Sequence, residues 1–131
     1  MIFVNRTPIL WHSKHQNTVE TSTFSSEIFT LQNAIELIDG LCYKLQMMGI
    51  EVDGPTNIYS DNEAVTKNCS ILESMLKKKH HSIAYHRNRE AVAAGTCRIA
   101  KEDSATNLAD VFTKVMSSFS RNDELFDKFM Y

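Results

Sequence analysis

Residues 56–63, Thr-Asn-Ile-Tyr-Ser-Asp-Asn-Glu, follow a Gly54-Pro55 turn signal. They read as a short buried strand centred on Ile58 and Tyr59 that runs directly into a helix. Ser60 and Glu63 have the spacing of a capping box, which predicts a helix starting at Asp61. Asp61 then stands at the carboxyl end of a strand, where open α/β sheets bind their ligands. A strand that delivers an acid into the first turn of a helix sets the fold class as α/β.

On the amino-terminal side, Phe24, Ile28, Leu31, Ile35, Ile38, Cys42 and Leu45 recur in alternating steps of four and three. This stripe predicts a long amphipathic helix from about Ser22 to Gly49, with Thr21 or Ser22 as cap. Ahead of it, Ile2, Phe3 and Val4, a turn at Asn5 to Pro8, and Ile9, Leu10 and Trp11 read as a β-hairpin. On the carboxyl side, a helical region is expected from about Leu72 to Ala94 with Gly95 ending it. A strand over 96–100, a helix over 106–116 and a short amphipathic helix over 121–131 complete the reading.

The chain has 131 residues, of which 43% are hydrophobic and 23% charged, so it suits one folded domain and excludes the disordered class. Its start lacks a charged region ahead of an apolar run, and no stretch approaches the ~18 apolar residues of a membrane span. No membrane partner is therefore expected. Cys42, Cys69 and Cys97 form no C-x-x-C pair and are odd in number, which predicts reduced thiols and an intracellular protein.

The net charge of -2 conceals an asymmetry. Residues 77–101 hold seven Lys/Arg against one acid, so this segment carries +6 and the remainder -8. A local basic patch on an otherwise acidic chain suits polyanion binding on one surface and metal-holding carboxylates on another. A Lys run taken by itself is more often a solvated helix face.

Three acids stand out by position. Glu27 lies about 60° from the centre of the helical stripe, at the margin of the buried face, and a half-buried carboxylate needs a cation, hydrogen bonds or a metal. Asp61 and Asp110 each fall near the start of a helix. Taken singly, each of the three can be an acid responding to a helix dipole. Together they place oxygen ligands at the amino ends of three helices that can meet at one end of a sheet, which suits hard divalent cations. His80, His81 and His86 have no Cys or acid at zinc-ligand spacing beside them, and phosphate or surface contact fits them better.

These residues resemble the ribonuclease H domain at the end of copia-type LTR retrotransposon polyproteins. ILWHSKHQNTVETST (9–23) is similar to the strand and linker leading to that family's first helix. IYSDNEAV (58–65) matches its I-Y-x-D-N-x-x-[AV] pattern. KKKHHSIAYHRNRE (77–90) resembles its K-H-I-x-x-x-Y-H-x-x-R-E helix, and NLADVFTK (107–114) its x-L-A-D-x-F-T-K. The resemblance implies a ribonuclease H-like mixed sheet flanked by helices, over 1–131 as a single domain. It also implies that Glu27, Asp61 and Asp110 are catalytic, holding Mg²⁺ or Mn²⁺ for two-metal hydrolysis of the RNA strand of an RNA/DNA hybrid. Lys77, Lys78, Lys79, His80, Arg87 and Arg89 are then expected to contact backbone phosphates. Reverse transcriptase or integrase parts of the same polyprotein become expected partners, in a cytoplasmic particle or the nucleus.

The sequence departs from the family in three places. The family's first strand, with its first catalytic aspartate, precedes the hairpin, and the chain is expected to start inside the second strand, truncated at its amino terminus. Ser82 stands where the family usually has an acid, and Phe24 and Ser25 differ from its usual residues before the glutamate. On this reading turnover is expected to be impaired. The alternative is a catalytically inactive relic or a hybrid-binding domain.

Overall fold

The computed structural model describes residues 1–12, 23–71, 82–104 and 106–109. The chain divides into two compact units, one formed from 1–17 with 102–131 and the other from 18–101.

In the first unit, β1 (Ile2–Val4) and β2 (Thr7–Leu10) form an antiparallel hairpin. The turn is tighter than the sequence suggests, because Asn5 adopts φ 56°, a left-handed conformation that Asn tolerates better than most residues. Further along, Asn107 Oδ1 accepts from the Ala109 backbone N–H at 3.1 Å. The rest of the expected 106–116 helix, and the 121–131 helix, lie outside the described residues.

The second unit begins with α1 (Thr23–Met47), followed by β3 (Thr56–Ser60), α2 (Glu63–Ser70), α3 (Ser82–Ala93) and β4 (Cys97–Lys101). The apolar stripe buries Ile28, Leu31, Ile35 and Ile38 along one side of α1. Two helices end in the same way. The Ile50 N–H reaches Leu45 O while the Gly49 N–H reaches Gln46 O, and Thr96 and Gly95 repeat the pattern on Ala91 and Val92. Gly49 and Gly95 take the positive φ that this termination requires.

Strands β3 and β4 pair in parallel from Thr56↔Cys97 to Ser60↔Lys101. Helices α2 and α3 pack on this pair, and α1 packs on α2 and α3. Ile28, Leu31, Ile35, Val65, Cys69, Ala84, Ala91, Cys97 and Ile99 make one continuous core.

Two expectations are corrected. Strand β3 is not buried on both faces: Ile58 turns towards the core while Tyr59 is exposed, because successive side chains of a strand alternate. Helix α2 begins at Glu63, two residues late. Asn62 takes the cap, its Oδ1 accepting from Ala64 N at 2.9 Å and Val65 N at 3.3 Å, while Ser60 Oγ accepts from Asn62 N at 3.2 Å instead of capping the helix itself. Among the described residues the strands form an antiparallel hairpin in the first unit and a parallel pair in the second, within a mixed α/β fold. Among the described residues no strand pairs with β3 on the side away from β4.

Candidate metal and nucleic-acid site

Glu27 sits in the second turn of α1 at the margin of the buried stripe, as its angular position requires. Its Oε2 is buried and has no hydrogen-bond partner among the described residues. An unpartnered buried acceptor costs about 1–3 kcal/mol, and more when charged. Among the described residues Glu27 thus keeps one carboxylate oxygen without a donor.

Asp61 lies between the end of β3 and the Asn62 cap, exposed, and not within a helical turn. The dipole explanation for it is thereby weakened. Across the sheet end, Lys101 faces Ser60 in the last parallel pair and donates to Glu63 Oε2 at 3.2 Å. Lys67 meets the other Glu63 oxygen at 2.5 Å. Lys67 first, then Lys101, hold the Glu63 carboxyl below its ordinary range. Asp61, Glu63 and Lys101 thus share the carboxyl end of the parallel pair. Lys101 was legible only as part of the basic segment, and nothing local in the sequence marks its pairing with Glu63.

The expected phosphate-contacting residues divide. Lys77, Lys78, Lys79 and His80 lie outside the described residues, as does Asp110. Arg87 and Arg89 lie on α3, but with different partners. Arg87 Nη2 donates to Asp39 Oδ2 at 2.6 Å. Arg89 Nη1 donates to the Tyr85 hydroxyl at 2.6 Å, its guanidinium 5.2 Å from that ring's centroid. Arg89 and His86 also line a shallow groove of about 400 Å³ between α2 and α3, with Cys69 and Ser70 on its other side.

Fit to a divalent cation rests on the donor set. Glu27 and Asp61 offer hard carboxylate oxygens, the type that Mg²⁺ and Mn²⁺ select, and Glu27 offers one that is otherwise unpartnered. Among the described residues no three His, Cys, Asp or Glu side chains are grouped as a complete metal cage. No helix among them is long and apolar enough to cross a membrane.

The chain is similar in sequence to a part of retrotransposon Pol polyproteins. Over 117 residues, 89% of its length, it is 30% identical to the retrovirus-related Pol polyprotein from transposon RE2 of Arabidopsis thaliana. It is 31% identical over the same length to that from transposon RE1 of the same plant. The chain spans 8% of the length of these relatives. No family model matches the sequence. No solved structure matches it.

Proposed function

We propose that this chain is a ribonuclease H-like segment of a retroelement Pol polyprotein that binds RNA/DNA hybrid and takes part in hydrolysis of the RNA strand. The observation that carries this reading is the unpartnered, buried Glu27 Oε2. It falls on the residue that sequence resemblance makes a metal ligand, and Asp61 stands at the carboxyl end of β3 as the same resemblance requires.

Glu27 and Asp61, with Asp110, would hold Mg²⁺ or Mn²⁺. Such ions, when bound, supply an activated water and charge neutralisation at the leaving oxygen. The protein's own part is to fix the carboxylates. Burial along α1 sets the direction of Glu27, and the β3–β4 pairing together with the Asn62 cap sets the backbone at Asp61. The basic segment supplies phosphate contacts that hold the hybrid, and association with reverse transcriptase or integrase parts follows from the polyprotein setting.

The test measures binding and cleavage of one labelled hybrid in parallel, with duplex DNA as the control. Preference for the hybrid, with weak Mg²⁺- or Mn²⁺-dependent cleavage that Glu27→Gln and Asp61→Asn abolish, is the expected result; hybrid preference without any cleavage would instead mark a binding domain that has lost turnover. Equal affinity for both duplexes with no metal-dependent cleavage overturns the proposal.

A further inference from the structure

Asn88 is fully buried on α3 and donates from Nδ2 to the Ile28 carbonyl oxygen at 3.0 Å. That contact fixes the orientation of the amide. A carbonyl accepts only, so the nitrogen must face Ile28 and the oxygen must face away. The Asn88 Oδ1 left over is buried and without a partner, as is Oε2 of Glu27, the residue next to Ile28.

Two orphan acceptors thus lie on packed helices, one on α3 and one beside the α1 residue that Asn88 binds, and neither can satisfy the other, because both need a donor. Leu or Ile at this buried position would leave no unpaired oxygen. A half-satisfied buried amide is the costlier choice, by about 1–3 kcal/mol. Something that brings both protons and positive charge answers both oxygens: a hydrated divalent cation, whose bound water donates and whose charge offsets the carboxylate.

We propose that Asn88 is a positioning residue for the cation at Glu27. Its amide nitrogen anchors the α1 backbone beside Glu27, and its Oδ1 accepts from a water on the cation. This rests on the reading of Glu27 as a metal ligand given above. It assigns a role to a polar side chain at a position for which the sequence motif has no set residue.

The experiment titrates Mn²⁺ into the full chain and follows the free-ion signal by electron paramagnetic resonance. Thermal melts without metal run alongside. Asn88→Leu should weaken Mn²⁺ binding about tenfold, within the range for outer-sphere partners, while the metal-free melt stays unchanged or rises. Asn88→Asp keeps an oxygen at the site and adds charge, so it should tighten Mn²⁺ binding and enlarge the rise in melting temperature that Mn²⁺ produces. This second variant gives a readout even where Asn88→Leu folds poorly. Mn²⁺ affinity that responds to Glu27→Gln but to neither Asn88 variant overturns this inference and leaves the metal role of Glu27 standing. Affinity that ignores Glu27→Gln as well overturns both.

Discussion

The Arg87 guanidinium lies 2.6 Å from an Asp39 carboxylate oxygen and joins α3 to α1 across 48 positions of sequence. The same arginine also approaches Glu90 at 3.9 Å. Both side chains of the main pair are about a third exposed, so the pair is screened, and its net worth is that of a surface bridge, at most about 1 kcal/mol. Its consequence is directional: Arg87 carries its charge towards α1.

Arg87→Ala should therefore lower stability modestly, by up to about 1 kcal/mol in urea denaturation, with the loss shrinking as salt rises. It should barely change the salt dependence of hybrid binding. Replacing Lys77 to Lys79 with Ala should instead flatten that dependence, because each lost phosphate contact lowers the log-log slope by about 0.9. A slope that falls with Arg87→Ala and not with the lysines would reverse the assignment.

Loss of the Asn62 cap is the next test. The Asn62 side chain satisfies two of the unpaired N–H groups at the start of α2. Asn62→Ala should destabilise the chain by about 1 kcal/mol, and Asn62→Asp much less. Because Asp61 immediately precedes the cap, Asn62→Ala should also weaken Mn²⁺ binding more than its stability cost explains. Equal Mn²⁺ titrations for the two variants would show that the Asp61 carboxylate does not depend on the cap.

The difference between Ser60 and Asn62 also shows what the sequence could reveal. The helical stripe of α1, the β3 segment over 56–60 and the glycine-ended helices were legible, because each depends on periodicity or on a residue with a special backbone preference. The choice between Ser60 and Asn62 as cap was not, since both are good capping residues and only the backbone at 61 decides. The position of Glu27 at the edge of the stripe was legible from its angle. Its unpartnered oxygen was not, and neither was Asn88, because the 60-residue separation of the Asn88–Ile28 bond leaves no local trace. The pairing of Arg87 with Asp39 was not legible either, because charge runs are visible in sequence while their distant partners are not.

Gly95 connects α3 to β4 with φ 73° and has no atom within 4 Å of the place a Cβ would take. Space is thus not the constraint there, and backbone conformation is. Gly95→Ala should cost about 1 kcal/mol from the left-handed conformation alone. Gly40, inside α1 with equally open surroundings and no positive φ, should respond oppositely, with Gly40→Ala stabilising by up to about 1 kcal/mol. Chemical denaturation of the pair checks both signs, and a loss at position 40 would mean that the α1 surface there is covered by a partner.

The core thiols give the last prediction. Burial pushes the Cys69 thiol up from 9.0 to about 11, outweighing the lowering effect of Arg89, and burial raises Cys97 as well. Both residues sit in the core cluster between α2 and β4, whereas Cys42 is only half-buried, its Sγ 4.0 Å from Thr56 Oγ1. A thiol whose folded value is raised contributes stability that is fully present below the unfolded value. That stability is lost as pH climbs from 9.0 towards about 11, because the unfolded chain ionises first. Stability should accordingly fall over this alkaline window, and Cys69→Ala, though less stable near neutral pH, should show a shallower fall. Alkylation gives an independent readout, since thiolate is the reactive form and access is required. Iodoacetamide at about pH 8 should modify Cys42 first, with Cys69 and Cys97 reacting only at the rate of unfolding; mass spectrometry of a time course would reveal early labelling of Cys69 if the α2–β4 contact opens in the native state.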